Sequence, residues 1–196
     1  TDNVEFSAED GSRSDRDYLC KVFGAAIEAG ATTINLPDTV GYAIPEEFAD
    51  LTKYVMAHTP NMHKATLSVH CHNDLGLATA NTIAAIQAGC VHAQGTVNGC
   101  GERCGNANLT SIIPTLLLKS AYADRFETAV TPGRLMPLTH ASRVLDEILN
   151  RASNRQAPYV GESAFATKAG IHASAILKEP ETYEHVKPEL VGNQRR

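Results

Sequence analysis

The chain has 196 residues, a formal net charge of -5, and 43% hydrophobic against 20% charged residues. That length and apolar content suit one domain with a sizeable core plus a small appendage, and they exclude a disordered chain. An acidic balance offers no footing for nucleic acid or an anionic membrane surface. No apolar run approaches the roughly 20 residues that span a bilayer. The N-terminal residues lack a charged-then-apolar leader, so the expected location is cytoplasmic. The five cysteines are an odd count with no Cys-x-x-Cys pair. They are expected to be reduced, mostly buried thiols. Cys100 and Cys104 flank a glycine-rich turn and, without a second cysteine pair, are not read as metal ligands.

In chain order, Val4-Glu5-Phe6 opens a strand, and Ser14, with Asp17 three residues on, is expected to cap a helix. That helix aligns Leu19, Val22, Phe23, Ala26 and Ile27 on one face and stops near Gly30. A strand over Thr32–Leu36 leads into Pro37-Asp38-Thr39, and Pro45 opens the next helix where a missing N–H is harmless. Phe48, Leu51 and Val55 form its inward face. A strand over Thr66–Cys71 is followed by an alanine-rich helix from about Leu75 to Gly89. A strand over Val91–Val97, a glycine-rich loop and a helix from about Asn108 to Lys119 complete the alternation. Strand-helix units repeating at about 30 residues imply a parallel sheet, either doubly wound or a (β/α) barrel. From Tyr122 to Arg155, Pro132 and Pro137 punctuate a helical stretch with Ala141, Val144, Leu145, Ile148 and Leu149, and Pro158 follows just beyond it. The segment after Gly161 is small and mixed, so the expected division is 1–120, a helical arm over 121–160, and a small α+β subdomain over 161–196.

In sheets of this kind, functional groups gather at the C-terminal strand ends. Glu9, Asp38 with Thr39, His70 with His72, and Asn98 with Glu102 and Asn106 all follow strands, which points to one shared site. Residues two apart on a strand share a face, with side-chain roots roughly 7 Å apart. His70 and His72 can therefore grip one ion; the bland alternative is a pair of hydrogen-bonded histidines at a strand end. Two imidazoles plus the carboxamide oxygen of Asn106 suit a divalent ion such as Zn, Mn, Co, Fe or Mg. Such an ion with open positions can chelate and polarise a 2-keto acid. Thr39 can donate to the substrate carboxylate, and Glu9 can take part in proton transfer or simply cap its loop. Gly99, Gly101 and Gly105 give room for close backbone approach, and Arg103 reads equally as an ion-pair partner of a neighbouring carboxylate.

The segments FSAEDGSRSD, INLPDTVGY, SVHCHNDLGLATAN, GTVNGCGERCGNANL and ETYEHVKPELVGN resemble the 2-isopropylmalate synthase family. That family sits in a wider group of metal-dependent TIM-barrel acyltransferases and lyases that also holds citramalate and homocitrate synthases. The resemblance implies an α/β fold: the C-terminal half of a TIM (β/α)8 barrel, then the arm and subdomain. It implies a Claisen condensation in which acetyl-CoA adds to a 2-keto acid and the thioester is hydrolysed, with a Mg, Mn or Zn class ion as cofactor. By the same resemblance, His70, His72 and Asn106 match metal ligands, Thr39 matches a substrate-carboxylate group and Glu9 a catalytic carboxylate. His172 and Tyr183 match groups assigned to proton transfer and thioester hydrolysis; without the resemblance they read as packing residues.

The resemblance further implies a homodimer in which the subdomain covers the partner's barrel. Three departures stand out. The family's Asp-Arg-Glu strand motif does not occur, so the chain is expected to start at the fifth of eight strands and to need a partner chain or segment supplying the first half. The leucine-binding C-terminal domain is expected to be absent, and Thr167 stands where relatives commonly have histidine. Citramalate synthase, homocitrate synthase and a catalytically incomplete fragment remain alternative readings.

Overall fold

A computed structural model describes all residues, 1–196. Residues Thr1–Asn108 form one compact unit and Leu109–Arg196 a second.

The first unit carries four strands, β1 (Glu5–Ser7), β2 (Thr33–Asp38), β3 (Thr66–Cys71) and β4 (His92–Gln94), in the order β1-β2-β3-β4. Every pairing is parallel. Helices α1 (Arg16–Glu28), α2 (Pro45–His58) and α3 (Ala78–Gln87) connect them. The register puts Ser7, Asn35, Ser68 and His92 in one row, and Pro37, His70 and Gln94 in another, on the same face. The opposite face offers Ile34, Leu36, Leu67, Val69 and Cys71, all buried. Phe23 of α1 and Phe48 and Val55 of α2 are buried as well.

The sheet is curled. Neighbouring strands lie ~4.8 Å apart, so β1 and β4 of a flat four-stranded sheet would be ~14 Å apart. Yet the Gln94 side chain donates to Glu5 Oε1 at 2.8 Å. Curvature of that degree fits a barrel wall rather than an open doubly wound sheet.

Several boundaries differ from the sequence expectation, each for a local reason. Asp15, not Ser14, caps α1, accepting from the Tyr18 N–H at 2.8 Å. Ser14 instead donates through its hydroxyl to the Asp10 carbonyl at 3.1 Å. Pro45 does open α2, and Glu47 reaches back to the Ile44 N–H at 3.4 Å. Helix α3 begins at Ala78 because the chain turns at Gly76, and Asn73 Oδ1 accepts from the Ala78 N–H at 3.1 Å. Strand β4 is short because, beyond Gln94, the chain bridges to the 106–108 segment: the Thr96 N–H donates to the Ala107 carbonyl at 2.9 Å.

The second unit is built from α4 (Leu109–Leu118), α5 (Ser120–Ala123), α6 (Leu138–Ile148) and α7 (Gly170–Lys178). Its C-terminal tail is tied inward: Thr139 donates to the Val191 carbonyl at 2.7 Å, and the Asn193 amide donates to the carbonyls of Tyr159 and Gly161, each at 2.9 Å. Residues 161–196 hold α7 and two short 3-10 turns. No strand occurs there, so the α+β character expected of this segment is corrected to helix and turn. Its prolines, Pro180 and Pro188, start the turns. Lacking an N–H, proline favours such starts over a ladder position.

Candidate metal centre

His70 lies on β3 and His72 just beyond its end, where the strand's alternation turns both rings to one face. Their Nε2 atoms are 3.1 Å apart, with ring centroids at 5.0 Å. An ion with nitrogen ligands at ~2.0–2.1 Å sets two adjacent nitrogens ~2.9–3.4 Å apart, so the observed separation suits shared ligation. The other ring nitrogens are held from behind. His70 Nδ1 meets Gln94 Oε1 at 3.1 Å, and His72 Nδ1 accepts from Arg103 Nη2 at 2.9 Å.

Asn106 arrives from the far end of the glycine-rich loop. The 105–108 segment runs along the end of β3: the Ala107 N–H donates to the Cys71 carbonyl and the Asn73 N–H to the Gly105 carbonyl, both at 2.9 Å. This makes an antiparallel bridge of His72 with Asn106, a pairing that sets the two side chains side by side. The Asn106 Oδ1 is buried and has no hydrogen-bond partner. A buried acceptor left open in this way is costly unless a ligand takes its lone pairs.

The glycines serve the loop itself. A Cβ on Gly101 would lie 2.8 Å from the Asn106 Oδ1, and one on Gly105, at φ +89°, would lie 2.1 Å from the Gly99 carbonyl oxygen. Two converging imidazole nitrogens and an open carbonyl oxygen together fit a divalent ion. The chain holds no cluster of three or more His, Cys, Asp or Glu able to bind one.

Arg103, at φ +51°, links the surrounding groups. It forms a two-point pair with Asp74, Nε to Oδ1 at 2.7 Å and Nη2 to Oδ2 at 2.9 Å, and donates to the Thr39 carbonyl at 2.8 Å. Its guanidinium holds the Asp74 carboxyl below the usual carboxylate range. Burial, followed by the neighbouring His70 and Arg103, lowers the pKa of His72 and favours its neutral ring; with Nδ1 accepting from Arg103 the ring's proton sits on Nε2, so ligation through Nε2 requires the Arg103 contact to be given up.

Thr39 follows β2, and its hydroxyl oxygen accepts from the Asp10 N–H at 2.9 Å, bringing the Glu9-Asp10 turn beside it. Glu9 itself is exposed. Asp38 is fully buried and used structurally, accepting from the Ser12 hydroxyl at 2.7 Å and from the Tyr42 N–H at 3.2 Å. His172 and Tyr183 belong to the second unit, where their rings stack with centroids 4.2 Å apart.

Sequence reasoning missed Gln94 and Glu5. Glutamine and glutamate on short strands are unremarked by any motif, and only the register pairing His70 with Gln94 exposes the contact. Alternation along Val91–Val97 was the available signal, since it puts Gln94 on the histidine face.

A family model described as HMGL-like matches residues 1–139, and one described as homocitrate synthase post-HMGL domain-like matches residues 159–196. The 2-isopropylmalate synthase of Heliobacterium modesticaldum is 48% identical over 192 residues, covering 98% of this chain and 37% of that protein. That of Nitratidesulfovibrio vulgaris is 49% identical over 195 residues, covering 100% of this chain and 37% of its own length. The chain thus spans 37% of the length of these curated relatives. Among solved structures, Bacillus subtilis HMG-CoA lyase superposes with a TM-score of 0.61 at 23% identity, over 76% of this chain and 50% of that one. The shared architecture is the HMG-CoA lyase type of TIM barrel, of which four consecutive strands are present here. With the model match running from the first strand to the start of α6, well over half of the chain, the chain belongs to the HMGL-like family.

Proposed function

We propose that this chain is the second half of the catalytic barrel, with the arm and accessory segment, of an acetyl-CoA-dependent 2-keto acid synthase, and that the enzyme makes 2-isopropylmalate. The observation that carries the chemistry is the approach of His70 Nε2 and His72 Nε2 to 3.1 Å, with the residue bridged to His72, Asn106, keeping its Oδ1 without a partner. The choice of product follows the relatives, which share 48–49% of their residues with the chain over its length and bear the name 2-isopropylmalate synthase.

In this reading His70, His72 and Asn106 hold a Mg, Mn or Zn class ion, and that ion supplies Lewis-acid polarisation of the keto carbonyl. Thr39 donates its hydroxyl hydrogen to the substrate carboxylate, the oxygen being already engaged by the Asp10 N–H. Glu9, on the adjacent turn, acts in proton transfer. His172 and Tyr183 act on the acyl group, moving the proton that starts the condensation and aiding thioester hydrolysis. Arg103 and Asp74 keep the His72 and Thr39 segments together. The reading includes a cytoplasmic homodimer. Strands β1 and β4 each pair on one side only within this chain, and such edges favour completion by further strands.

The test is thiol release from acetyl-CoA by the full-length protein with Mg, Mn or Zn, and separately with 2-oxoisovalerate, pyruvate and 2-oxoglutarate. Turnover with 2-oxoisovalerate supports the reading. Preference for pyruvate or 2-oxoglutarate moves the assignment to a citramalate or homocitrate synthase, the latter sharing its name with the domain model matched at 159–196. Silence with all three in folded protein overturns the synthase reading. Native mass spectrometry measures the dimer directly.

A further inference from the structure

We propose that Asn81 is a positioning residue that closes the 38–43 turn and, through it, sets the Thr39 hydroxyl for the substrate carboxylate, a role resting on the synthase reading above. Asn81 lies in the first turn of α3 and is fully buried. Its amide nitrogen donates to the Ala43 carbonyl at 2.8 Å and lies 3.5 Å from Asp38 Oδ2. One NH2 group therefore spans both ends of the turn that carries Thr39. The Asp38 carboxylate in turn accepts from the Tyr42 N–H at 3.2 Å, from the Ala43 N–H at 3.3 Å and from the Ser12 hydroxyl at 2.7 Å.

Hydrogen-bond polarity fixes the Asn81 amide. Both groups it faces are acceptors, so the nitrogen must face them and Oδ1 is turned away, buried with no partner of its own. An enclosed acceptor without a partner is costly, and Asn81 carries that cost alongside the two donors that close the turn. Thr39 is tied to neighbouring loops by its hydroxyl, which accepts from the Asp10 N–H, and by its carbonyl, which accepts from Arg103. The chain leaving Thr39 is closed at Ala43 by Asn81. With that end freed, the Tyr42 and Ala43 N–H groups come off the Asp38 carboxylate, and the residue next to Asp38 loses its fixed direction. A bond to the substrate carboxylate is made in the ground state and the transition state alike, so weakening it raises KM and leaves kcat in place.

The experiment uses the full-length enzyme with Mn. Asn81→Leu keeps the size of the side chain and removes both donors. KM for the preferred 2-keto acid is expected to rise about tenfold, with kcat and Mn affinity within about twofold of the wild type. In the metal-free protein, hydrogen exchange followed by mass spectrometry is expected to quicken about tenfold or more in peptides covering residues 38–44. Ser12→Ala withdraws one donor from the Asp38 carboxylate and is expected to move both readouts the same way by less. It decides the matter if Asn81→Leu does not fold. A merely structural role gives the opposite split, a lower denaturation midpoint and a lower kcat from a smaller folded fraction with KM unchanged. That result, or unchanged exchange in a folded variant, overturns the proposal. A wild-type enzyme with no turnover on any of the three keto acids overturns the synthase reading instead, and the exchange rates then still decide whether Asn81 holds the turn.

Discussion

Asn106 is a half-buried carboxamide whose oxygen is fully enclosed without a partner, while its neighbours on the loop are packed against it closely enough to exclude any side chain at Gly101. An unmet acceptor of this kind costs about 1–3 kcal/mol, which a coordinated ion would offset. Asn106→Ala is therefore expected to weaken divalent-ion binding by at least tenfold while leaving the denaturation midpoint of the metal-free protein unchanged or higher, since the unmet acceptor is removed. Calorimetric titration with Zn or Mn and urea melts measure the two quantities.

The thiols separate just as clearly at this scale. Burial pushes Cys71 up to about 12 and Cys90 up to about 11, whereas Cys104 is exposed. Because the thiolate is the reactive form, a disulfide reagent at pH 8 is expected to modify Cys104 first and to leave Cys71 and Cys90 untouched until denaturant is added. Peptide mass mapping identifies the modified positions.

At the scale of the element, local chemistry decides ends and pairing decides lengths. Asp15 takes the cap of α1 that Ser14 was expected to hold, because Ser14 is drawn back to the Asp10 carbonyl by the preceding turn. Asp15→Ala is expected to cost about 1 kcal/mol, and Ser14→Ala clearly less, as read from paired urea denaturation curves. The inward faces of α1 and α2 were legible from periodicity: Leu19, Phe23, Ile27, Phe48 and Val55 are all buried. The apolar stripe of α6 was equally legible, but Ile148 and Leu149 are exposed while Thr139 and Ser142 are buried. Periodicity reveals that a helix has an apolar side; it does not say which side its own chain covers. Strand β4 was read too long for a related reason, since Gly95 and Thr96 look extended in isolation and leave the sheet only because the 106–108 segment offers another partner.

For the whole molecule, the division into Thr1–Asn108 and Leu109–Arg196 places the metal-ligand candidates in one unit and the stacked His172–Tyr183 pair in the other. Under the proposed function, the two sets of residues do separable work. His172→Asn is expected to lower turnover by about 10²–10⁴-fold, the range for losing a proton-transfer group. Metal content is expected to stay at the wild-type level, as measured by inductively coupled plasma mass spectrometry beside the thiol-release assay. A matching loss of metal would assign His172 to the ion instead.

The amino-acid sequence by itself determined the strand-helix alternation, the polar strand ends and the shared face of His70 and His72. Each of these depends on residues close together in the chain, where periods of two and 3.6 residues are readable directly. Only the tertiary structure decided that Asn106 lies across from His72, that Arg103 joins Asp74 to His72 and Thr39, and that Glu5 reaches Gln94. Those contacts depend on parallel register and sheet curvature, which arise from many weak pairings summed over the whole sheet and leave no mark at any single position.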